Sequence, residues 1–177
     1  MPKLLFIDLF AGCGGLSLGL INAGWTGLFA VEKTPDAFKT LKHNLCDKVA
    51  GYDWPGWLPR QEMTTSDLLN KHADHIRNLR GKVDLIAGGP PCQGFSFAGR
   101  RDHADPRNRL TEEYIQLVDI IRPKYLLLEN VKGFKTAFKD AKTPPYSQIV
   151  ERTFSELDWG GLKALLISRT RTMRPLT

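Results

Sequence analysis

The first 32 residues carry the pattern that most limits what this chain can fold into. Residues 3–10 form a short apolar run, and the glycine-rich stretch 11–15 follows directly. Apolar residues then recur at helical spacing over 16–21, and a second apolar run, 27–31, ends at Glu32. A strand, a tight turn, a helix and a second strand in this order predict an α/β domain built on a largely parallel sheet.

The glycine-rich turn is the first candidate ligand site. A turn between a strand and a helix brings backbone N–H groups and a helix N-terminus close to a bound molecule. The glycines match neither G-x-G-x-x-G nor a phosphate loop. Glu32 stands where doubly wound folds hold ribose hydroxyls. The pattern therefore indicates a nucleoside-type cofactor, and its alternative is an ordinary tight turn with a solvated Glu32.

Cys92 is the candidate nucleophile. It follows two prolines after a third apolar run, residues 83–87. Proline fixes its own φ and biases the preceding residue toward extended geometry, so this segment is rigid. Rigidity suits a thiol that must meet one substrate atom. The alternative is a structural cysteine, because a free thiol is inert unless its thiolate is stabilised.

Glu129 is the candidate partner of Cys92. It follows the apolar run 125–128, so we expect it at the carboxyl end of another strand. Open α/β sheets bind ligands at that edge. If the two strands are neighbours, the thiol and the carboxylate face one cleft. A single glutamate after a strand can instead be a cap or a solvated charge.

Five motifs in order resemble the DNA (cytosine-5)-methyltransferase family over roughly residues 3 to 135. They are DLFAGCGG, AVEK, GGPPCQGFS, DPRNRL with EYIQLV, and LLLENVKGF. The resemblance implies an S-adenosylmethionine-dependent methyltransferase Rossmann-like domain of the α/β class, with a mostly parallel sheet that is incomplete at its C-terminal end.

The resemblance also implies roles for individual residues. Cys92 would attack C6 of a flipped cytosine, and Glu129 would hold ring N3. Phe10 and the turn would hold S-adenosyl-L-methionine, Glu32 its ribose and Asp67 its adenine amino group. The implied cofactor-binding residues are Phe10, Ala11, Gly12, Cys13, Gly14, Gly15, Glu32, Asp67, Leu68, Pro90 and Leu110. The expected DNA contacts are Gln93, Ser96, Arg100 and Arg101, and no metal site is expected.

Composition limits the class of protein. At 177 residues, 42% hydrophobic and 25% charged, the chain suits one globular domain. It has no run of about eighteen apolar residues and no signal-like start, so no membrane partner is expected. Its three cysteines show neither zinc nor disulfide spacing, which favours a reducing, intracellular compartment. The resemblance implies the bacterial cytoplasm or nucleoid.

The C-terminal region departs from the family. We expect a partial catalytic and cofactor-binding domain over 1–160, a divergent basic tail over 161–177, and no target-recognition domain. Residues 160–177 supply four of the six net positive charges, so charge alone does not indicate a nucleic-acid surface. The arginines at 169 and 171 imitate a family motif but lack its glutamine.

The expected substrate is double-stranded DNA with a flipped cytosine, in a restriction–modification context, and the chain alone is expected to be weakly active or inactive. Two alternatives stay open: a cofactor-binding remnant or regulator without turnover, and one subunit of a split enzyme whose partner chain supplies target recognition. A relative acting on transfer RNA is disfavoured, because the DPRN loop is of the DNA type.

Overall fold

The computed structural model describes residues 3–49, 51–90, 108–131 and 163–169, and helices and strands alternate through most of these ranges. The strands are β1 (Leu5–Leu9), β2 (Thr26–Val31), β3 (Leu85–Gly88), β4 (Tyr125–Val131) and β5 (Lys163–Arg169). The helices are α1 (Gly15–Asn22), α2 (Pro35–Leu41), α3 (Thr65–Lys71), α4 (Ala73–Arg77) and α5 (Asn108–Ile121), with a π-helical segment at Lys42–Lys48 after α2.

The five strands form one sheet in the order β2-β1-β3-β4-β5, and every pair is parallel. The chain moves outward in one direction from β1 to β2 and in the other from β1 to β3. A crevice therefore opens at the carboxyl ends of β1 and β3, which is where doubly wound sheets bind ligands. The predicted α/β class and parallel sheet are confirmed.

The two faces of the sheet have different cores. Side chains alternate along a strand, so Ile7 and Leu9 lie on one face of β1 and Phe6 on the other. The first face packs with Leu68 of α3, Ile76 of α4 and several residues of α5. The second face packs with residues of α1, α2 and the π-helical segment. Helices thus cover the sheet on both faces.

Two predicted boundaries differ from the structure. The fourth strand was expected to end before Glu129, but β4 continues to Val131, so Glu129 lies within it. The segment 161–177, which we expected to be a divergent basic tail that begins with a candidate strand over 160–167, contains β5, and β5 pairs with β4 from Tyr125↔Lys163 to Val131↔Arg169. At least residues 163–169 therefore belong to the domain.

The aromatic segment, residues 52–57, lies before α3 and packs against the sheet. Tyr52 is 8% exposed and forms a parallel bridge with Gly27 of β2. Trp54 and Trp57 both make edge-on ring contacts with Phe29. This segment extends the β2 side of the sheet and leads the chain to the start of α3. Within the described ranges, no helix has the length and apolar character needed to cross a membrane.

Candidate functional site

Two adjacent cavities lie at the carboxyl edge of the sheet. The first has a volume of about 250 Å³, and Phe10, Val31, Met63 and Leu110 form much of its apolar lining. Its polar groups come from the end of β2 and the start of α3: Glu32, Lys33, Thr64 and Thr65. An apolar cavity with a few convergent polar groups suits a flat, partly polar ligand such as a nucleoside.

The second cavity has a volume of about 460 Å³ and is acidic. Asp8 and Glu129 both line it, with Gly15 and Leu16 at the start of α1. Phe10 and Gly89 line both cavities, so the two share a wall. Two carboxyl groups and the first turn of a helix favour a ligand that carries positive charge beside an anionic group.

The backbone of the glycine-rich turn is held in an unusual conformation. Phe10 has a φ of 62°, a region that residues other than glycine rarely adopt. The Ala11 N–H donates to the Val31 carbonyl at 3.0 Å, which ties the turn to the end of β2. Gly14 has a φ of 88°, and a β-carbon on it would lie 2.7 Å from Leu45 Cδ1. Strain of this kind concentrates at binding sites, where the surrounding structure maintains it.

Glu32 connects the turn to β2. One carboxylate oxygen accepts the Gly12 N–H at 2.9 Å, and the other accepts the Thr34 N–H at 2.7 Å. A carboxylate oxygen can accept more than one hydrogen bond, so Glu32 can also accept from a ligand hydroxyl in the first cavity. The structure places Glu32 on the wall of the first cavity, and its contact with a ribose stays a prediction.

Asp8 is a site residue that the sequence analysis missed. It is 1% exposed, and its Oδ2 accepts the Ser17 hydroxyl at 2.5 Å, while the Tyr52 hydroxyl donates to Ser17 Oγ at 2.6 Å. Burial raises the pKa of Asp8 to about 7, opposed by the hydrogen bonds from Ser17 and reinforced by the negative charge of Glu32. In the sequence, Asp8 could have been recognised as an acidic residue inside the first apolar run, residues 3–10.

Asp67 and Leu68 line neither cavity. The Asp67 carboxylate accepts the Thr64 hydroxyl at 2.7 Å and pairs with Lys71 at 2.7 Å. The contacts with Lys71 and Thr64 lower the pKa of Asp67 to about 2. Leu68 is fully buried in the core. Thr64 and Thr65, instead of Asp67 and Leu68, line the first cavity. The sequence pattern T-x-x-D over residues 64–67 is that of a capping box, and it indicates that Asp67 caps its own helix.

The predicted neighbours β3 and β4 do lie side by side, with Gly88 opposite Leu128. Gly89 therefore faces Glu129, and a β-carbon on Gly89 would lie 2.7 Å from Glu129 Oε2. Pro90 is buried at the end of this segment.

The remaining predicted positions divide into three groups. Leu110 lines the first cavity, and Ala11 and Gly15 line the second. Gly12, Cys13 and Gly14 form the turn without lining either cavity, and Cys13 is exposed. Cys92, Gln93, Ser96, Arg100 and Arg101 lie outside the described residues.

The sequence model of the family described as C-5 cytosine-specific DNA methylase matches residues 4–166. The chain belongs to this family. It is 35% identical over 153 residues to the Type II methyltransferase M.DdeI of Desulfomicrobium norvegicum, covering 86% of this chain and 34% of that protein. It is 41% identical over 134 residues to the Type II methyltransferase M1.HphI of Haemophilus parahaemolyticus, covering 73% and 32%.

A solved structure agrees with this membership. A chain described as a DNA modification methyltransferase encoded within a prophage, from E. coli, has a TM-score of 0.60 and 33% identity, covering 89% of this chain and 38% of that one. The present chain thus spans about a third of the length of the two curated relatives.

Proposed function

We propose that this chain carries the cofactor-binding and catalytic part of a DNA cytosine-5 methyltransferase of the restriction–modification type. One observation supports this most directly: Glu129 stands beside Gly89, at the entry to the Cys92 segment, on the wall of a two-part cavity. Cys92 follows Pro90 by two residues, and two residues span at most about 7 Å.

S-adenosylmethionine is the cofactor whose chemistry the two cavities fit. The apolar cavity with Glu32 at its rim suits the adenosine end, and the start of α3 with Leu110 encloses the base. The second cavity suits the methionine end, since the carboxyl group of Asp8 on its wall can accept hydrogen bonds from an ammonium group and the first turn of α1 favours a carboxylate. When bound, this cofactor supplies an electrophilic methyl group.

Cys92 makes the cytosine ring reactive. Carbon 5 of cytosine is too weak a nucleophile to attack a methyl sulfonium directly. Addition of the Cys92 thiolate to carbon 6 gives an enamine-like ring, so one difficult step is divided into two easier ones. Carbon 5 would then form a bond to the methyl carbon as the C–S bond of the sulfonium breaks, which leaves the cofactor as a neutral thioether. Loss of the carbon 5 proton to water would let the Cys92 thiolate be eliminated and the aromatic ring be restored.

Glu129 supports the addition step. As the thiolate adds to carbon 6, negative charge develops on ring nitrogen 3, and a protonated carboxyl group placed there donates a proton or shares it. The target base is inaccessible in a duplex, so it must leave the stack at a cost of a few kcal/mol. Glu129 can recover part of that cost by hydrogen bonding to the flipped base.

The substrate and setting follow from the same proposal. Gln93, Ser96, Arg100 and Arg101 would contact DNA beside the flipped base, and target recognition would come from a complementary chain or segment. The named relatives are Type II methyltransferases, so we place the protein with DNA in a bacterial cytoplasm.

Transfer of a labelled methyl group to duplex DNA tests the proposal. The wild-type chain, alone and with candidate target-recognition chains, is compared with Cys92→Ser and with Cys46→Ser as the matched control. We expect transfer that Cys92→Ser abolishes and Cys46→Ser retains, because a hydroxyl is a far poorer nucleophile at neutral pH. Binding of S-adenosylmethionine without transfer in every combination would instead favour a cofactor-binding module.

A further inference from the structure

Glu113 is a buried carboxylate in the middle of α5 that the proposed chemistry does not use. It is 6% exposed, although the next charged residue on the helix, Glu112, is exposed to solvent. A buried carboxylate is costly unless hydrogen bonds compensate for lost hydration. Glu113 therefore needs a structural or functional reason to occupy this position.

The partners of Glu113 lie almost fifty residues away, at the start of α3. The Thr65 hydroxyl donates to one carboxylate oxygen, and the Ser66 hydroxyl donates to the other at 2.5 Å. Arg109 Nε is 3.4 Å from the second oxygen, but the Arg109 side chain is 74% exposed and contributes little. Both oxygens of Glu113 are thus engaged by the first turn of α3.

The two helices that Glu113 joins both contribute to the wall of the first cavity. Thr64 and Thr65, at the start of α3, line it, and so does Leu110, one turn before Glu113 on α5. The Thr65 hydroxyl points to Glu113 while the residue itself borders the cavity. The Glu113 bonds therefore set the distance between two walls of the same cavity.

We propose that Glu113 is a positioning residue for the adenosine end of the cofactor, holding α3 and α5 at the separation that encloses the base. This inference rests on the proposed function, because it requires the first cavity to bind adenosine. Glu113 does not touch the ligand. Its effect passes through Thr65, whose placement it determines.

The test compares two ligands and four variants by calorimetry. S-adenosylhomocysteine spans both cavities, and 5′-methylthioadenosine carries the adenosine end alone. Glu113→Ala removes both acceptors, Glu113→Gln retains one acceptor for Thr65, and Glu112→Ala is the exposed control on the same helix. The double variant Thr65→Val/Ser66→Ala removes the same two bonds from α3, and it replaces Glu113→Ala if that protein does not fold.

We expect Glu113→Ala to weaken both ligands by a similar factor, about tenfold or more, because the loss is confined to the adenosine end. Glu113→Gln should recover most of the affinity, and Glu112→Ala should bind like wild type. A residue that supported only stability would lower the free energy of unfolding without changing the affinity of the folded protein or showing this rescue.

The outcomes separate the two claims. Wild-type affinity for both ligands in Glu113→Ala, with a clear loss in Glu32→Ala, would overturn the positioning role and leave the proposed function intact. A wild-type chain that binds neither ligand would overturn both the proposed function and this inference.

Discussion

Gly89, which directly follows β3, lies so close to Glu129 of β4 that a β-carbon on Gly89 would lie 2.7 Å from Glu129 Oε2. The same β-carbon would lie 3.5 Å from the Glu129 carbonyl oxygen, an ordinary contact. The clash is therefore with the end of the side chain, which can rotate, and not with the strand. The absence of a side chain at position 89 gives the Glu129 carboxylate its place in the second cavity.

Replacement of Gly89 by alanine should move the Glu129 carboxylate while leaving the fold intact. We expect methyl transfer to fall by about tenfold or more, because the group that supports charge at ring nitrogen 3 is displaced. S-adenosylhomocysteine affinity should change much less. Single-turnover transfer and calorimetry on the same preparation measure the two effects.

Gly88→Ala is the matched contrast for that variant. A β-carbon on Gly88 would lie 2.5 Å from the Leu9 carbonyl oxygen, and backbone cannot rotate away. We expect this variant to lose about 1–3 kcal/mol of stability in urea unfolding. Equal losses of stability in both variants would mean that Gly89 serves packing and not the position of Glu129.

Replacement of Glu32 by alanine should weaken cofactor binding. The variant loses the carboxylate at the first cavity and also the bond that holds the Gly12 N–H. Hydrogen bonds to a charged group are worth about 1.5–3 kcal/mol, so affinity for S-adenosylhomocysteine should fall by at least about tenfold. Glu62→Ala, an exposed glutamate nearby, is the control, and an equal loss there would contradict a specific role for Glu32.

Asp8 should make stability depend on pH in an unusual direction. Its pKa in the folded protein is about 7, above its value near 3.8 in the unfolded chain, so the folded state binds the proton more tightly. The stabilisation that protonated Asp8 provides is complete below pH 4, declines as pH rises toward 7 and is gone above that.

The Asp8→Asn variant isolates this contribution. The difference in free energy of unfolding between wild type and variant should shift between pH 4.5 and 8, with wild type relatively more stable at the acidic end. Urea titrations at several pH values measure it. A difference that stays constant over this range would show that Asp8 does not titrate there.

Most of the sheet could be predicted from the sequence, because each strand is marked by residues that are neighbours in the chain. Each of the first three strands is an apolar run closed by a residue that turns the chain, and neighbouring positions suffice to recognise it. The extension of β4 through Glu129 could not be predicted in this way, because Glu129 and Asn130 interrupt the apolar pattern. Their place in the ladder depends on pairing with β5, which lies more than thirty residues further along the chain.

The parts of the site that sequence reasoning missed depend on tertiary placement. Thr64 and Thr65 line the first cavity because the aromatic segment packs against Phe29 and so positions the start of α3 beside that cavity. Nothing local marks Glu113 as buried, since Glu112 beside it has the same side chain and is exposed. Helical periodicity around the buried Tyr114 and Leu117 indicates which face of α5 is buried, but it does not identify the partners of Glu113 on α3.

Covalent trapping tests the central claim most directly. A duplex that contains 5-fluorocytosine lacks the proton whose loss releases the enzyme, so even a slow chain accumulates the adduct. With S-adenosylmethionine present, we predict a DNA–protein adduct, mapped by mass spectrometry to Cys92, that Cys92→Ser lacks and Cys46→Ser retains. An adduct that persists in Cys92→Ser, or none in wild type with any target-recognition chain, would contradict the account.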